Sequence, residues 1–202
     1  RPDLAFDMVY LSTRFHRGTI EDVKQASKII SKMQKHKATV FIPDLEDEKD
    51  LEIWSFSDAS NGTVDDKDGS VGAYVIFLAN RTSGKAAPIA WKASKIKRAT
   101  LSSFEAEVLA MQEALNKAIG VQQLTEECFG FRVPIIGVVD NYSSYETIKT
   151  NKHVSNDRLK REIFAVKQMQ KHKHVEKVMW LQGSQMIADC MTKSGKPGYE
   201  LL

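Results

Sequence analysis

The segment VPIIGVVD, residues 133 to 140, is almost wholly apolar and ends in a carboxylate. A strand of this kind is buried on both faces, because a half-exposed strand would alternate apolar and polar side chains. The sheet that holds it must therefore be covered on both sides. The flanking sequence supplies the partners. Residues 51 to 58, LEIWSFSD, alternate and again end in an acid; 72 to 79, GAYVIFLA, are β-branched and aromatic enough for a central strand; 87 to 92 make a third short run. NGTVDDKDGS and RTSGKA between them suit hairpin loops, so these three strands form an antiparallel meander. From Ser102 to Ile119 a long helix is expected, with Val108, Met111, Leu115 and Ala118 on one stripe. Helices over 143 to 150 and 156 to 171, a strand over 175 to 181 and a last helix over 185 to 193 complete the order βββαβααβα. That order implies an α/β protein with a mixed sheet flanked by helices.

The first 45 or so residues read as a separate helical element. Val23, Ala26, Ile29, Ile30 and Met33 recur at helical spacing between Glu21 and Lys37, with Thr19 placed to cap, and this stripe needs a partner surface. Residues 43 to 50, PDLEDEKD, read as a linker or exposed turn. The domain expectation is thus 1 to 45 for the helical appendage and 46 to 202 for the α/β unit. No apolar run approaches the roughly 18 residues of a membrane span, so a soluble, intracellular chain without membrane partners is expected. Cys128 and Cys190 make neither a disulfide framework nor a C-x-x-C zinc spacing and are expected to be reduced.

The net charge of +3, from 29 bases and 26 acids, conceals strong segregation. Residues 44 to 68 hold ten acids against two lysines; 85 to 98 hold five bases and no acid; 149 to 177 hold nine bases against three acids. Any one tract could be a solvated face. Together they suit a metal-dependent enzyme acting on a polyanion.

Four acids stand out. Asp58 and Asp140 close two strands, where the ligand sites of α/β sheets gather, and they would meet if those strands are neighbours. In LSSFEAEVLAM, Glu105 has a structural explanation, since Ser102 and Glu105 fit a capping box. Glu107 lies about 200° further around the helix and has none. Asp189 sits beside apolar Met186, Ile187 and Ala188, out of place unless something cationic neutralises it. Converging carboxylates would repel and take up protons unless divalent cations were bound. Magnesium takes oxygen ligands and keeps waters for a substrate. Two such ions about 4 Å apart can activate a water and stabilise the leaving oxygen of a phosphodiester.

SDAS, GSVGAYVIFL, WKASKIKRATLSSFEAEVLAM, VVDNYSSYETI and IADCMTK, in that order, resemble the ribonuclease H domain of copia-type LTR retrotransposon polyproteins. The leading RPDLAFDMVYLSTRF and the helix after it resemble the end of the preceding reverse transcriptase region, towards thumb and connection. The resemblance implies a five-stranded ribonuclease H fold with an N-terminal helical appendage. It also implies hydrolysis of the RNA strand of RNA–DNA hybrids with two Mg²⁺ or Mn²⁺ ions. Carried over residue by residue, the catalytic and metal-binding acids are Asp58, Glu107, Asp140 and Asp189. Implied partners are the hybrid and the reverse transcriptase domain of the same polyprotein, in a cytoplasmic virus-like particle or the nucleus. The histidine that cellular ribonucleases H carry before the last helix is missing from WLQGSQMIAD, so activity without it is expected. His172 and His174 read as surface residues.

Phosphate contacts are expected from Lys92, Lys95, Lys97 and Arg98 in WKASKIKR, and from the basic stretch 151 to 161. Asn141, Ser60 and Asn61 are candidates to donate to backbone or sugar oxygens. Trp91 and Trp180 fall inside strands, where core packing is expected. The competing reading is a catalytically silent ribonuclease H-fold packing module, against which the presence of all four acids stands. An integrase of the same fold would place its glutamate last, whereas here it comes between the first two aspartates.

Overall fold

A computed structural model describes residues 1–35, 40–64, 69–150, 154 and 156–194. All of Ile135–Val139, the strand of the apolar run, is buried. It lies near the middle of a five-stranded sheet made of β1 (Leu51–Val64), β2 (Gly69–Asn80), β3 (Ala86–Lys95), β4 (Ile135–Val139) and β5 (Lys177–Trp180). The spatial order is β3-β2-β1-β4-β5. β1, β2 and β3 form the antiparallel meander, while β4 runs parallel to β1 and β5 parallel to β4. The fold is the expected ribonuclease H-like one.

Among the described residues five α-helices accompany the sheet: α1 (Ala5–Arg14), α2 (Ile20–Lys35), α3 (Ser103–Phe129), α4 (Tyr142–Lys149) and α5 (Asp157–Lys171). The α3 stripe packs as its spacing requires, with Val108, Met111, Leu115 and Ala118 all buried. Contact with β4 is close, since a Cβ at Gly137 would stand 3.0 Å from Leu115 Cδ2. α3 ends at Phe129, ten residues beyond its expected end at Ile119, and Gly130, with a φ of 75°, makes the left-handed cap. The extension is held by a tertiary bond that local spacing does not reveal: buried Gln122 donates through Nε2 to the Val133 carbonyl.

Two further expectations are corrected. β1 does not end at Asp58 but continues to Val64, so the acid lies within the strand and Asp65 to Asp68 of the expected loop fall outside the described residues. The last helix, expected over 185 to 193, is instead two short 3₁₀ turns, Gly183–Gln185 and Ile187–Met191, separated by an extended Met186. Its apolar side chains are shared between two clusters: Met186 and Ala188 meet Ile136 and Val138, while Cys190 and Met191 meet Ala73, Val75 and Phe77. A segment buried on several sides has no amphipathic face, and nine residues are too few to sustain an α-helix without one.

In the N-terminal segment, α1 lies against the meander, with Val9 packed on Val64 and Val71. α2 is capped as expected: Thr19 Oγ1 accepts from Asp22 N–H and the Asp22 carboxylate accepts from Thr19 N–H. Of its stripe only Ile29 is buried, and Val23, Ile30 and Met33 stand exposed. No helix among the described residues is long and apolar enough to cross a membrane.

Candidate metal centre

Strand register brings the first two acids together. Phe56 of β1 pairs with Val138 of β4, so Asp58 and Asp140, each two residues further along parallel strands, stand side by side on one face. Small residues then let the start of α3 approach. Ala59, Ala106 and Ala110 pack together, and a Cβ at Gly72 would meet Ala110 Cβ at 3.3 Å. This contact lowers Glu107 onto the same spot. One carboxylate oxygen from each of Asp58, Glu107 and Asp140 lies within 4.8 Å of the others.

The helix start is fixed by the expected cap: Ser102 Oγ accepts from Glu105 N–H, while Glu105 Oε2 accepts from Leu101 N–H, one residue before the cap itself. Glu105 is thereby directed back along the chain, and Glu107 is left to face the sheet, where it accepts from Ala59 N–H.

Asp189 is not one of the three converging acids; it is buried in its 3₁₀ turn nearby, where its charge acts on Asp58 and Asp140. It bonds to the ammonium of Lys193, whose Nζ also lies 3.8 Å from Asp58 Oδ2. Thr192 donates its hydroxyl to Asp58 Oδ2, and its carbonyl accepts from Ser60 Oγ at 2.8 Å. These two side-chain bonds seat the turn on β1. The pairing of Thr192 and Lys193 with the acids was not read from the sequence, although the four-residue step from Asp189 to Lys193 is a spacing at which side chains meet on a helical turn.

The electrostatics follow from burial and crowding. Asp58 is inaccessible to solvent, and burial pushes its carboxyl up to about 6, against the opposing pull of Lys193 and Thr192. Glu107 is pushed up to about 9 by burial and then by the Asp58 and Asp140 charges. Asp140 is raised by burial, with Lys193 opposing and Asp189 adding to the rise. Asp58 Oδ1 and Glu107 Oε2 are buried with no hydrogen-bond partner among the described residues. An uncompensated buried carboxylate oxygen is costly, and a hard cation with oxygen ligands would satisfy both. The donor set thus fits a magnesium-like ion.

Around the cluster, Trp180 Nε1 donates to the Asp140 carbonyl at 2.8 Å and its ring meets Tyr142 edge-on. Trp91 and Trp180 are about 40% exposed, which corrects the expectation of core packing: each stands on an outer strand of the sheet, and Trp180 is the last residue of β5, at the margin of the core that buries Val178 on the same face. Asn141 caps α4 through Oδ1, which accepts from Ser144 N–H and Oγ–H. Ser60 and Asn61 are also engaged, Asn61 Oδ1 accepting from Ser70 and Thr100 hydroxyls. Lys92 pairs with Glu113 and Arg98 with Glu162, while Lys95 and Lys97 are exposed. The row Asp58, Ala73, Ala93 across β1, β2 and β3 puts the β3 lysines two strand spacings, about 10 Å, from the acids. Of the basic stretch 151 to 161, residues 151 to 153 and 155 lie outside the described residues. His172 and His174 are exposed, as expected. Cys128 and Cys190 are both free, and burial with the nearby Asp189 charge pushes the Cys190 thiol up to about 11.

No family profile and no curated protein matches the chain. Solved structures do. The N-terminal RNase H domain of Rv2228c from Mycobacterium tuberculosis superposes with a TM-score of 0.51 at 14% identity, over 70% of this chain and 91% of that one. LC11-RNase H1, isolated from compost by a metagenomic approach, gives 0.51 at 11% identity, over 69% and 91%. This is the ribonuclease H fold. A foamy virus protease-reverse transcriptase in complex with an RNA/DNA hybrid matches at a TM-score of 0.45 and 16% identity, over 91% of this chain and 20% of that one, too loose a likeness to argue from.

Proposed function

We propose that the protein is a metal-dependent endonuclease that hydrolyses the RNA strand of RNA–DNA hybrids, acting as the ribonuclease H part of a copia-type retrotransposon polyprotein beside its reverse transcriptase. The observation that carries the reading is the convergence of Asp58, Glu107 and Asp140 within 4.8 Å, with buried, unpartnered oxygens on the first two. The ordered motif resemblance from SDAS to IADCMTK supports the family and its substrate, and the superposed ribonucleases H support the fold on which that chemistry would sit.

Asp58, Glu107, Asp140 and Asp189 would hold two Mg²⁺ or Mn²⁺ ions. When bound, such ions lower the pKa of a water and stabilise charge on the leaving oxygen of a phosphodiester. The chain's own residues do the rest. β1 and β4 hold two carboxylates in register on a rigid sheet, and α3 brings the third without a flexible loop. Burial keeps bulk water from screening the charges. Lys92, Lys95, Lys97 and Arg98 would grip phosphates of the hybrid, with Lys92 and Arg98 exchanging Glu113 and Glu162 for phosphate oxygens. Because Asn141 Oδ1 caps α4, any contact to the sugar-phosphate backbone falls to its Nδ2 amide.

The test is incubation with a hybrid carrying labelled RNA, with and without Mg²⁺, beside Asp140→Asn. Cleavage of the RNA strand that needs Mg²⁺ and disappears in the variant is expected. Equal cleavage of single-stranded RNA or duplex DNA, or full activity in Asp140→Asn, would refute the assignment.

A further inference from the structure

The acid cluster already contains a cation. Lys193 Nζ bonds to Asp189 and stands 3.8 Å from Asp58 Oδ2, so one ammonium bridges two of the four acids. Its backbone is fixed at the end of the 3₁₀ turn, where Lys193 N–H and Thr192 N–H both donate to the Asp189 carbonyl, and Thr192 ties the turn to Asp58. Its side chain is not fixed in the same way. It is 40% exposed, whereas the Asp58 and Asp189 side chains it touches are 1% and 10% exposed. The ammonium therefore sits at the mouth of the pocket on a stem that solvent already reaches, and can swing outward without disturbing the core. The cluster is also asymmetric. The oxygens without partners belong to Asp58 and Glu107, and on Asp58 it is Oδ1, not the Oδ2 that Lys193 and Thr192 approach.

Given the metal-binding reading above, on which this rests, we propose that Lys193 is a displaceable internal counter-cation: it neutralises the Asp58–Asp189 side of the pocket when no metal is present and competes with the ion that side would take. On the side formed by Asp58, Glu107 and Asp140 no ammonium among the described residues is paired with Glu107 or Asp140, and Lys193 acts on those two only through space, so this side binds its ion first and more tightly. An ion entering between Asp58 and Asp189 must expel the ammonium, and its affinity is lowered by the ion pairs that are broken. Lys193 is thus a positioning residue that sets the order and spacing of the two binding steps.

Lys193→Met keeps the length of the stem and removes the charge. The experiment is calorimetric titration of the full 202-residue chain with Mn²⁺ at neutral pH, together with thermal unfolding in EDTA and in saturating Mg²⁺. The wild type should bind one ion tightly and a second weakly. In Lys193→Met the second affinity should rise by roughly tenfold, within the about 5- to 150-fold usual for coupled sites, with the first little changed. The variant should also melt below the wild type in EDTA, a gap that closes in saturating Mg²⁺. Lys193→Arg, which retains the charge, should resemble the wild type, and Lys193→Gln takes the place of the methionine variant should that one not fold under either condition. If both proteins bind two ions and the variant's second affinity is unchanged or weaker, the counter-cation role is wrong while the metal site stands. If neither protein binds Mn²⁺, the metal-binding reading falls, and this inference with it.

Discussion

Without metal, the protein should lose stability as the pH rises through neutrality, the reverse of ordinary acid denaturation. The cause is Glu107, which burial and then the Asp58 and Asp140 charges raise from 4.5 to about 9. The folded state keeps a proton that the unfolded chain has released. The stability this confers is complete below the unfolded pKa and is lost as the pH climbs towards the folded one. One proton held by the folded state alone corresponds to about 1.4 kcal/mol per pH unit. Asp58, raised from 3.8 to about 6, loses its share in a lower window that closes near pH 6. Asp140, raised by burial, adds a loss of the same sign where it ionises. Asp3, Asp22 and Asp50 are held below their ordinary range by hydrogen bonds from Arg1, Thr19 and Thr82 respectively, so they are ionised in both states above about pH 5 and contribute no slope. Between about pH 6.5 and 8.5 the protein in EDTA should therefore lose roughly 2 to 3 kcal/mol. Urea titrations at half-unit steps measure it. Glu107→Gln, a neutral isostere, should remove most of the slope, and saturating Mg²⁺ should reverse its sign, because metal binding competes with protons for the same oxygens. A wild-type stability that is flat or rising across this window, or a slope unchanged in Glu107→Gln, would refute the reasoning.

Other consequences are open to single substitutions. Gly183 has no left-handed backbone, so alanine suits the chain there, but its Cβ would stand 3.2 Å from Asp140 Oδ2. Gly183→Ala should keep the melting temperature and weaken Mg²⁺ binding by about 10-fold, as loss of a supporting contact does. Leu115→Ala, at a fully buried position packed on Gly137, should cost about 2 to 5 kcal/mol in chemical denaturation without altering the acids. If the basic tract grips phosphates, Lys97→Ala should reduce the salt slope of hybrid affinity by about one unit, and an unchanged slope would remove Lys97 from the interface.

Much of the site was legible because the local patterns carry it. Asp58 ends the alternating run LEIWSFSD, although β1 itself continues past it, and Asp140 ends the apolar run VPIIGVVD; once β1 and β4 are neighbours the register leaves the two acids no choice but to meet. Glu107 was found by subtraction, since the cap accounts for Glu105 and nothing local accounts for the acid two residues on. Asp189 was visible as a misfit among apolar neighbours, but the shape of its segment was not. Met186, Ala188, Cys190 and Met191 suggest a helix only until it is known that they are buried against two different clusters. Trp180 shows the same limit from the other side: periodicity puts it on the face of β5 that buries Val178, but does not tell that the cover gives out at the last residue of the strand. The end of α3 was missed because the bond that holds it, Gln122 to Val133, joins two elements. What local pattern cannot supply, in each case, is the identity of the neighbour.

The account stands on four carboxylates making one pocket for two hard cations, and anomalous diffraction from crystals soaked in Mn²⁺ tests it most directly. Two peaks are expected: one coordinated by Asp58, Glu107 and Asp140, the other reaching Asp58 and Asp189 with Lys193 moved aside. Well-ordered crystals that show manganese elsewhere, or none between these residues at saturating concentration, would contradict it.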